Sequence, residues 1–222
     1  MSSPTLTDKA SQMIRQDILD GVLKPGQKLV VAELKEKYNV GASPIREALV
    51  QLSWSKYVKL EPQKGCRVAP VCKNELNDLY ECLQVISAYL LNKAIVTGNE
   101  NWKLHVLAAY HKLSCTQSDE NFCWKEWEEY HDQFLTALFK GAGSTSMLGI
   151  FRTLLTQIKR YQYFAIMILG TENPGHCNIE EQKMLMQTSL DKKNQDALGY
   201  LERYLRESMQ CIEVTIDNQH HI

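Results

Sequence analysis

The sequence predicts a mainly α protein in two parts: three helices and a β-hairpin over residues 1–72, then an all-α antiparallel helical bundle over residues 73–222. Three observations lead there. Apolar residues recur at helical spacing along most of the chain. The period changes once, to strand-like alternation around residues 58–68. After Pro70 no comparable strand signal returns, and the remaining apolar-periodic segments break only at polar stretches such as "TGNEN", "TQSDEN", "KGAGSTS" and "LDKKNQD".

The elements follow in order. Leu6, Met13, Ile14, Ile18 and Leu19 mark a helix over Thr7–Asp20, with Thr7 or Asp8 able to cap it and "DGVLKPG" ending it. "VVAELKEKYNV" gives a short second helix ending near Tyr38. Ser43 is placed as the N-cap of a third helix, Pro44 as its first residue, and Glu47 near the capping-box position, so this helix is expected from Pro44 to Trp54. "YVKLEPQKGCRVAPV" alternates, turns at "PQKG" and resumes, which reads as a two-stranded hairpin. Helix, helix, helix, hairpin is the order of a winged helix-turn-helix. From "ELNDLYECLQVISAYLLNKAIV" onward, six or so helices are expected to pack as a bundle.

Composition narrows the function. With 222 residues and 44% hydrophobic content, the chain can build one or two cores. Its longest apolar runs, such as "FAIMIL", are far shorter than the roughly 20 residues of a membrane span, and "MSSPTLTDKA" has no apolar signal region, so a soluble, cytoplasmic protein without a membrane partner is expected. Seven cysteines without a C-x-x-C pair suit neither a disulfide framework nor a zinc knuckle. Charge is divided unevenly. Residues 1–72 carry 11 of the 25 Lys and Arg and 7 of the 26 Asp and Glu, leaving 14 and 19 for the remainder: about +4 against −5. A basic module joined to an acidic one suits a chain whose first part meets a polyanion.

In a helix-turn-helix the third helix enters the major groove by its N-terminal turn, here "ASPIREAL". Arg46 is then placed to pair with guanine O6 and N7 or to clamp a phosphate, while Ser43, Pro44 and the amides of the helix start lie where phosphates approach. At the wing tip Lys64 and Arg67 flank Gly65, whose missing side chain allows close approach of the backbone. A bland reading stands beside this one: Arg46 and Glu47 as a solvated surface pair.

The segment "LKPGQKL…ELKEKYNVGASPIREALVQLSWSKYVKLEPQKGCRVAPV" resembles the N-terminal domain of GntR-type bacterial transcription regulators. In that family a "PG..L" turn, a "P[VI]REAL..L" recognition helix and a "G..V" wing recur in this order. The resemblance implies a dimeric, sequence-specific regulator, in most cases a repressor, that binds a double-stranded DNA operator. Two departures weaken any transfer of operator specificity. Gly41 and Ala42 stand where relatives commonly have Ser-Arg, and Ala32 stands near a second position that is often basic.

The remainder is similar to the all-helical effector-binding FCD domain of the FadR-like branch, through "HDQFLTALFKGAGSTSML" and "ALGYLERYLRESM". Many such domains hold a divalent metal with one aspartate and three histidines. The matching positions here are His131, Leu135, Gln182 and Tyr204, a set that cannot make a transition-metal site, and Asp132 lies about 100° around the helix from the lost group. No metal or other cofactor is therefore expected, and none at His176, His220 or His221. The family's effector-facing arginine and glutamate fall at Leu83 and Ser87. What is left implies a more neutral, aromatic effector pocket lined by Tyr130, His131, Arg160, Tyr163, Gln182 and Tyr204, unless the tyrosines are simply core residues. Two other classes stay open. Cys66, between Lys64 and Arg67, would suit a redox-responsive regulator if its thiol were acidified. A helical-bundle enzyme is disfavoured, because no phosphate loop or nucleophile elbow is present.

Overall fold

The computed structural model describes residues 4–116, 122–170 and 177–219. Its first half holds α1 (Leu6–Leu19), β1 (Lys28–Leu29), α2 (Val31–Tyr38), α3 (Ala42–Trp54), β2 (Val58–Glu61) and β3 (Gly65–Val68). Its second half holds α4 (Lys73–Thr97), α5 (Glu100–Cys115), α6 (Trp124–Lys140), α7 (Thr145–Leu169), α8 (Ile179–Leu190) and α9 (Asn194–Gln219). A winged helix-turn-helix thus precedes a helical C-terminal part. His176, His220 and His221 lie outside the described residues.

Three local expectations are corrected. Helix α1 is capped by Thr5 rather than by Thr7 or Asp8. Thr5 Oγ1 accepts from the Asp8 amide at 3.1 Å and Asp8 returns the bond to the Thr5 amide at 3.0 Å. A cap at Thr7 would put Ala10 in the reciprocating place, where it has nothing to offer. Helix α3 begins at Ala42 with Gly41 as its N-cap, so Ser43 and Pro44 are its second and third residues. The capping box needs a spacing of three residues, whereas Glu47 is four from Ser43, and the Ser43 hydroxyl donates to Glu47 Oε1 at 3.3 Å instead of capping an amide. Pro44 is tolerated there because first-turn amides have no intrahelical acceptor. Third, the hairpin gains a third strand: β1 pairs antiparallel with β3, giving the order β1-β3-β2. Gly26, at φ +76°, allows the turn, and its amide donates to the Val68 carbonyl at 3.1 Å.

Buried apolar residues form two cores. Ile14, Ile45, Ala48, Leu52, Tyr57 and Val68 belong to one. Leu76, Leu90, Trp127, Phe134, Phe151 and Tyr161 belong to the other, where α4 packs against α6, α7 and α9. Helix α7 ties the two together. The Tyr57 hydroxyl donates to the Thr156 carbonyl at 3.1 Å, and Arg160 donates to the carbonyls of Ala69 at 3.0 Å and Pro70 at 2.5 Å and to Glu75 at 3.2 Å. Across the same junction Lys125 pairs with Asp20 at 2.7 Å.

Candidate nucleic-acid interface

Helix α3 buries Ile45, Ala48, Leu49 and Leu52 against the small core, which turns Ser43, Arg46, Glu47 and Val50 outward. The carboxylate beside Arg46 is already occupied. Glu47 Oε2 accepts from the Thr7 hydroxyl at 2.9 Å and Oε1 from Ser43. Among the described residues no carboxylate lies within ion-pair distance of Arg46, so the solvated Arg46–Glu47 pair does not form. Arg46 is therefore an exposed guanidinium one turn into the helix. It carries the geometry for bidentate contact with guanine, worth about 1–3 kcal/mol of base discrimination, and Val50, one turn on, can meet a thymine methyl group.

The wing is built by the register of its three strands. Lys28 on β1 and Lys59 on β2 both sit opposite Arg67 on β3, so three basic residues form a row across the outer face while Cys66 and Val68 face the core. Arg67 is held in that row: its Nε donates to Glu61 Oε2 at 3.4 Å and its Nη1 to the Gly26 carbonyl at 3.2 Å. Lys64 is exposed at the tip beside Gly65, whose φ of +94° is a left-handed conformation that glycine accepts without strain. Lys28 and Lys59 were missed from the sequence. Only the strand register reveals the row: Lys28 sits on a two-residue strand too short to show a period, and Lys59 comes opposite Arg67 through the β2–β3 pairing.

A model of the family described as bacterial regulatory proteins, gntR family, matches residues 6–68. The chain is 34% identical over 154 residues to the HTH-type transcriptional repressor GlaR of Escherichia coli strain K12, an alignment spanning 68% of this chain and 69% of that one. The chain belongs to the gntR family. It is a DNA-binding transcriptional regulator, not an enzyme. It is also 25% identical over 212 residues to the HTH-type transcriptional regulator BphR of Paraburkholderia xenovorans strain LB400, covering 94% of this chain and 85% of the relative. The fold is shared with solved E. coli McbR/YncC, at a TM-score of 0.73 and 18% identity over 99% of this chain and 100% of that one.

In the C-terminal part of this gntR-family regulator, the pocket residues expected from the sequence fall into separate environments. His131 is buried between Trp127, stacked at 4.5 Å between ring centroids, and Tyr204, whose hydroxyl oxygen lies 3.4 Å from His131 Nδ1. Gln182 is buried on α8, and Tyr130 is half-buried against the same core. Arg160 points instead to the junction between the two cores, where it clamps residues 69–75. Tyr163 donates to Glu128 at 3.0 Å in a cleft that reaches α1. Burial raises the pKa of Tyr163, and the Glu128 carboxylate adds to the rise. Burial likewise raises Glu128 and Asp132, opposed by Lys159 between them. At the wing, burial pushes the Cys66 thiol up to about 11, the opposite of the acidified thiolate that redox sensing at this residue requires.

Proposed function

We propose that this regulator is a homodimeric repressor that binds its operator through Arg46 and the basic wing and that a small, metal-free effector controls it. The observation that carries the DNA-contact assignment is the exposed Arg46 on α3, left without a carboxylate because Thr7 and Ser43 hold Glu47. Ser43, Pro44, Lys64, Gly65 and Arg67 form the supporting contacts, with the Lys28–Arg67–Lys59 row facing the phosphate backbone. The repressor sense rests on likeness to the GlaR repressor. The operator is first selected from a randomised duplex pool, and binding to it is then measured by fluorescence anisotropy. Arg46→Ala is expected to weaken specific binding by about 1–3 kcal/mol and to relax preference at one base pair. Equal affinity and equal sequence preference in the variant would remove Arg46 from the interface.

The homodimer is supported by a seam on α4. Cys82, Val85, Tyr89, Asn92 and Val96 follow alternating three- and four-residue steps, and all are exposed; Val85 is 70% and Val96 66% exposed. That spacing is the 3.5-residue repeat of a coiled-coil contact, and two-fold pairing would set two α3 helices on successive half-sites. Val85→Glu combined with Val96→Glu should convert a dimer to monomer in sedimentation velocity. A wild type that sediments as a monomer sinks the seam. The metal-free reading rests on the donor set. Leu135 is an apolar side chain at a ligand position, Tyr204 keeps its phenolic proton because burial raises its pKa well above 10.0, and Gln182 is a weak ligand. Stoichiometric zinc, nickel or manganese in elemental analysis of purified protein would contradict this.

A further inference from the structure

We propose that the cleft between the winged domain and α6–α7 binds a small zwitterion carrying an amine at one end and a carboxylate at the other, at a site separate from the His131–Tyr204 cluster. The cleft encloses about 560 Å³, a volume in the range of metabolite sites, and its walls come from both halves of the chain. Its charges are segregated. At the buried end Glu128, 6% exposed, and Asp132 share one cation, Lys159, whose Nζ lies 3.1 Å from Glu128 Oε1 and 2.7 Å from Asp132 Oδ2. Two carboxylates against one ammonium leave an excess negative charge at that end. A second cation placed there would offset the excess.

At the open end the balance is reversed. Arg15 from α1 and Arg152 from α7 line the exposed rim together with Glu129. Neither guanidinium has a carboxylate within ion-pair distance among the described residues. A carboxylate bound there would be met by guanidinium groups from both halves of the chain. A plain dianion meets Glu128 and Asp132 at the far end, and a plain diamine meets the arginines, so only a molecule with both signs is complementary throughout. The ring of Tyr163, fixed by its hydrogen bond to Glu128, and the ring of Tyr57 frame the walls between the two ends.

The regulatory consequence rests on the DNA-binding reading above: a ligand bridging Arg15 and Arg152 would fix the winged domain against α7 and alter operator affinity. The test separates the two. Purified full-length protein is titrated by calorimetry with 4-aminobutyrate and 6-aminohexanoate, and with hexanoate and butylamine as probes of single charge. One of the two zwitterions should bind and neither singly charged probe should compete. Arg152→Ala and, separately, Asp132→Asn should each weaken binding about tenfold. Equal binding of hexanoate, unchanged affinity in both variants, or no heat from either zwitterion overturns the site. Operator binding by ligand-free wild type, measured beside it, decides the regulator reading independently.

Discussion

Gly98, at the C-terminal end of α4, shows how tightly single residues are specified. A Cβ added there would lie 2.1 Å from a ring carbon of Trp102 and 2.6 Å from the Ala94 carbonyl oxygen. The ring cannot retreat, because its Nε1 donates to the carbonyls of Ala137 at 3.2 Å and Leu138 at 3.0 Å, joining the start of α5 to the end of α6. Gly98→Ala should therefore cost about 1–3 kcal/mol by overpacking, read as a lower midpoint in urea unfolding with an unchanged slope. An unchanged midpoint would mean that the corner yields and that Trp102 is not pinned. Glu47 makes a related point at the DNA-facing end. Its carboxylate, read from the sequence as a partner for the cap of α3 or for Arg46, is engaged by Thr7 on α1, 40 residues away. Chain neighbours were legible; the partner that decides what Arg46 can do was not, because it arrives through tertiary packing.

At the scale of elements, what could be read from the sequence was what local periodicity encodes. The hairpin shows its alternation in Val58, Leu60, Cys66 and Val68, and the helices show theirs in apolar spacing. Strand β1 is two residues long, too short to display a period, and it exists only because β3 offers a free edge. Helix α7 is the clearest case of an element whose sequence pattern says nothing of its role. Arg160 was expected in an effector pocket, yet it holds the segment that follows the wing, with Tyr161 donating to the same Glu75 and the guanidinium 4.6 Å over the Tyr161 ring. Being 4% exposed, Arg160 leaves an uncompensated set of acceptors if truncated. Arg160→Ala should cost about 1–3 kcal/mol, and Arg160→Lys should recover little, because a single ammonium cannot reach both carbonyls and Glu75 in the fork geometry. Thermal unfolding of the two variants checks this, and a lysine variant as stable as wild type would show that charge alone, not the planar fork, holds the linker.

For the whole molecule, the buried phenols and thiols set an alkaline limit. Cys66 is raised from 9.0 to about 11 and Tyr57 from 10.0 to about 12, both chiefly by burial. Burial also raises Tyr80 and Cys177, and it raises Tyr161 with help from Glu75. Each is an acid whose neutral form is favoured in the folded chain. The unfolded chain gives up these protons near pH 9–10, where the folded chain keeps them, so above about pH 9 the unfolded state binds fewer protons and stability falls as pH rises. The two wing-side groups alone account for a drop on the order of 10 °C in Tm between about pH 8.5 and 11, at roughly 2–4 °C per kcal/mol for a chain of this size. Tyr57→Phe isolates one contribution. It removes the phenol that bonds the Thr156 carbonyl, so it lowers Tm at neutral pH and at the same time makes the alkaline decline shallower. A wild-type Tm flat across that interval, or a Tyr57→Phe decline as steep as wild type, would show that these protons are not linked to folding. The same bond joins the winged domain to α7, so loss of cooperativity between the two cores in the variant would locate the alkaline weakness at the junction that carries the cleft.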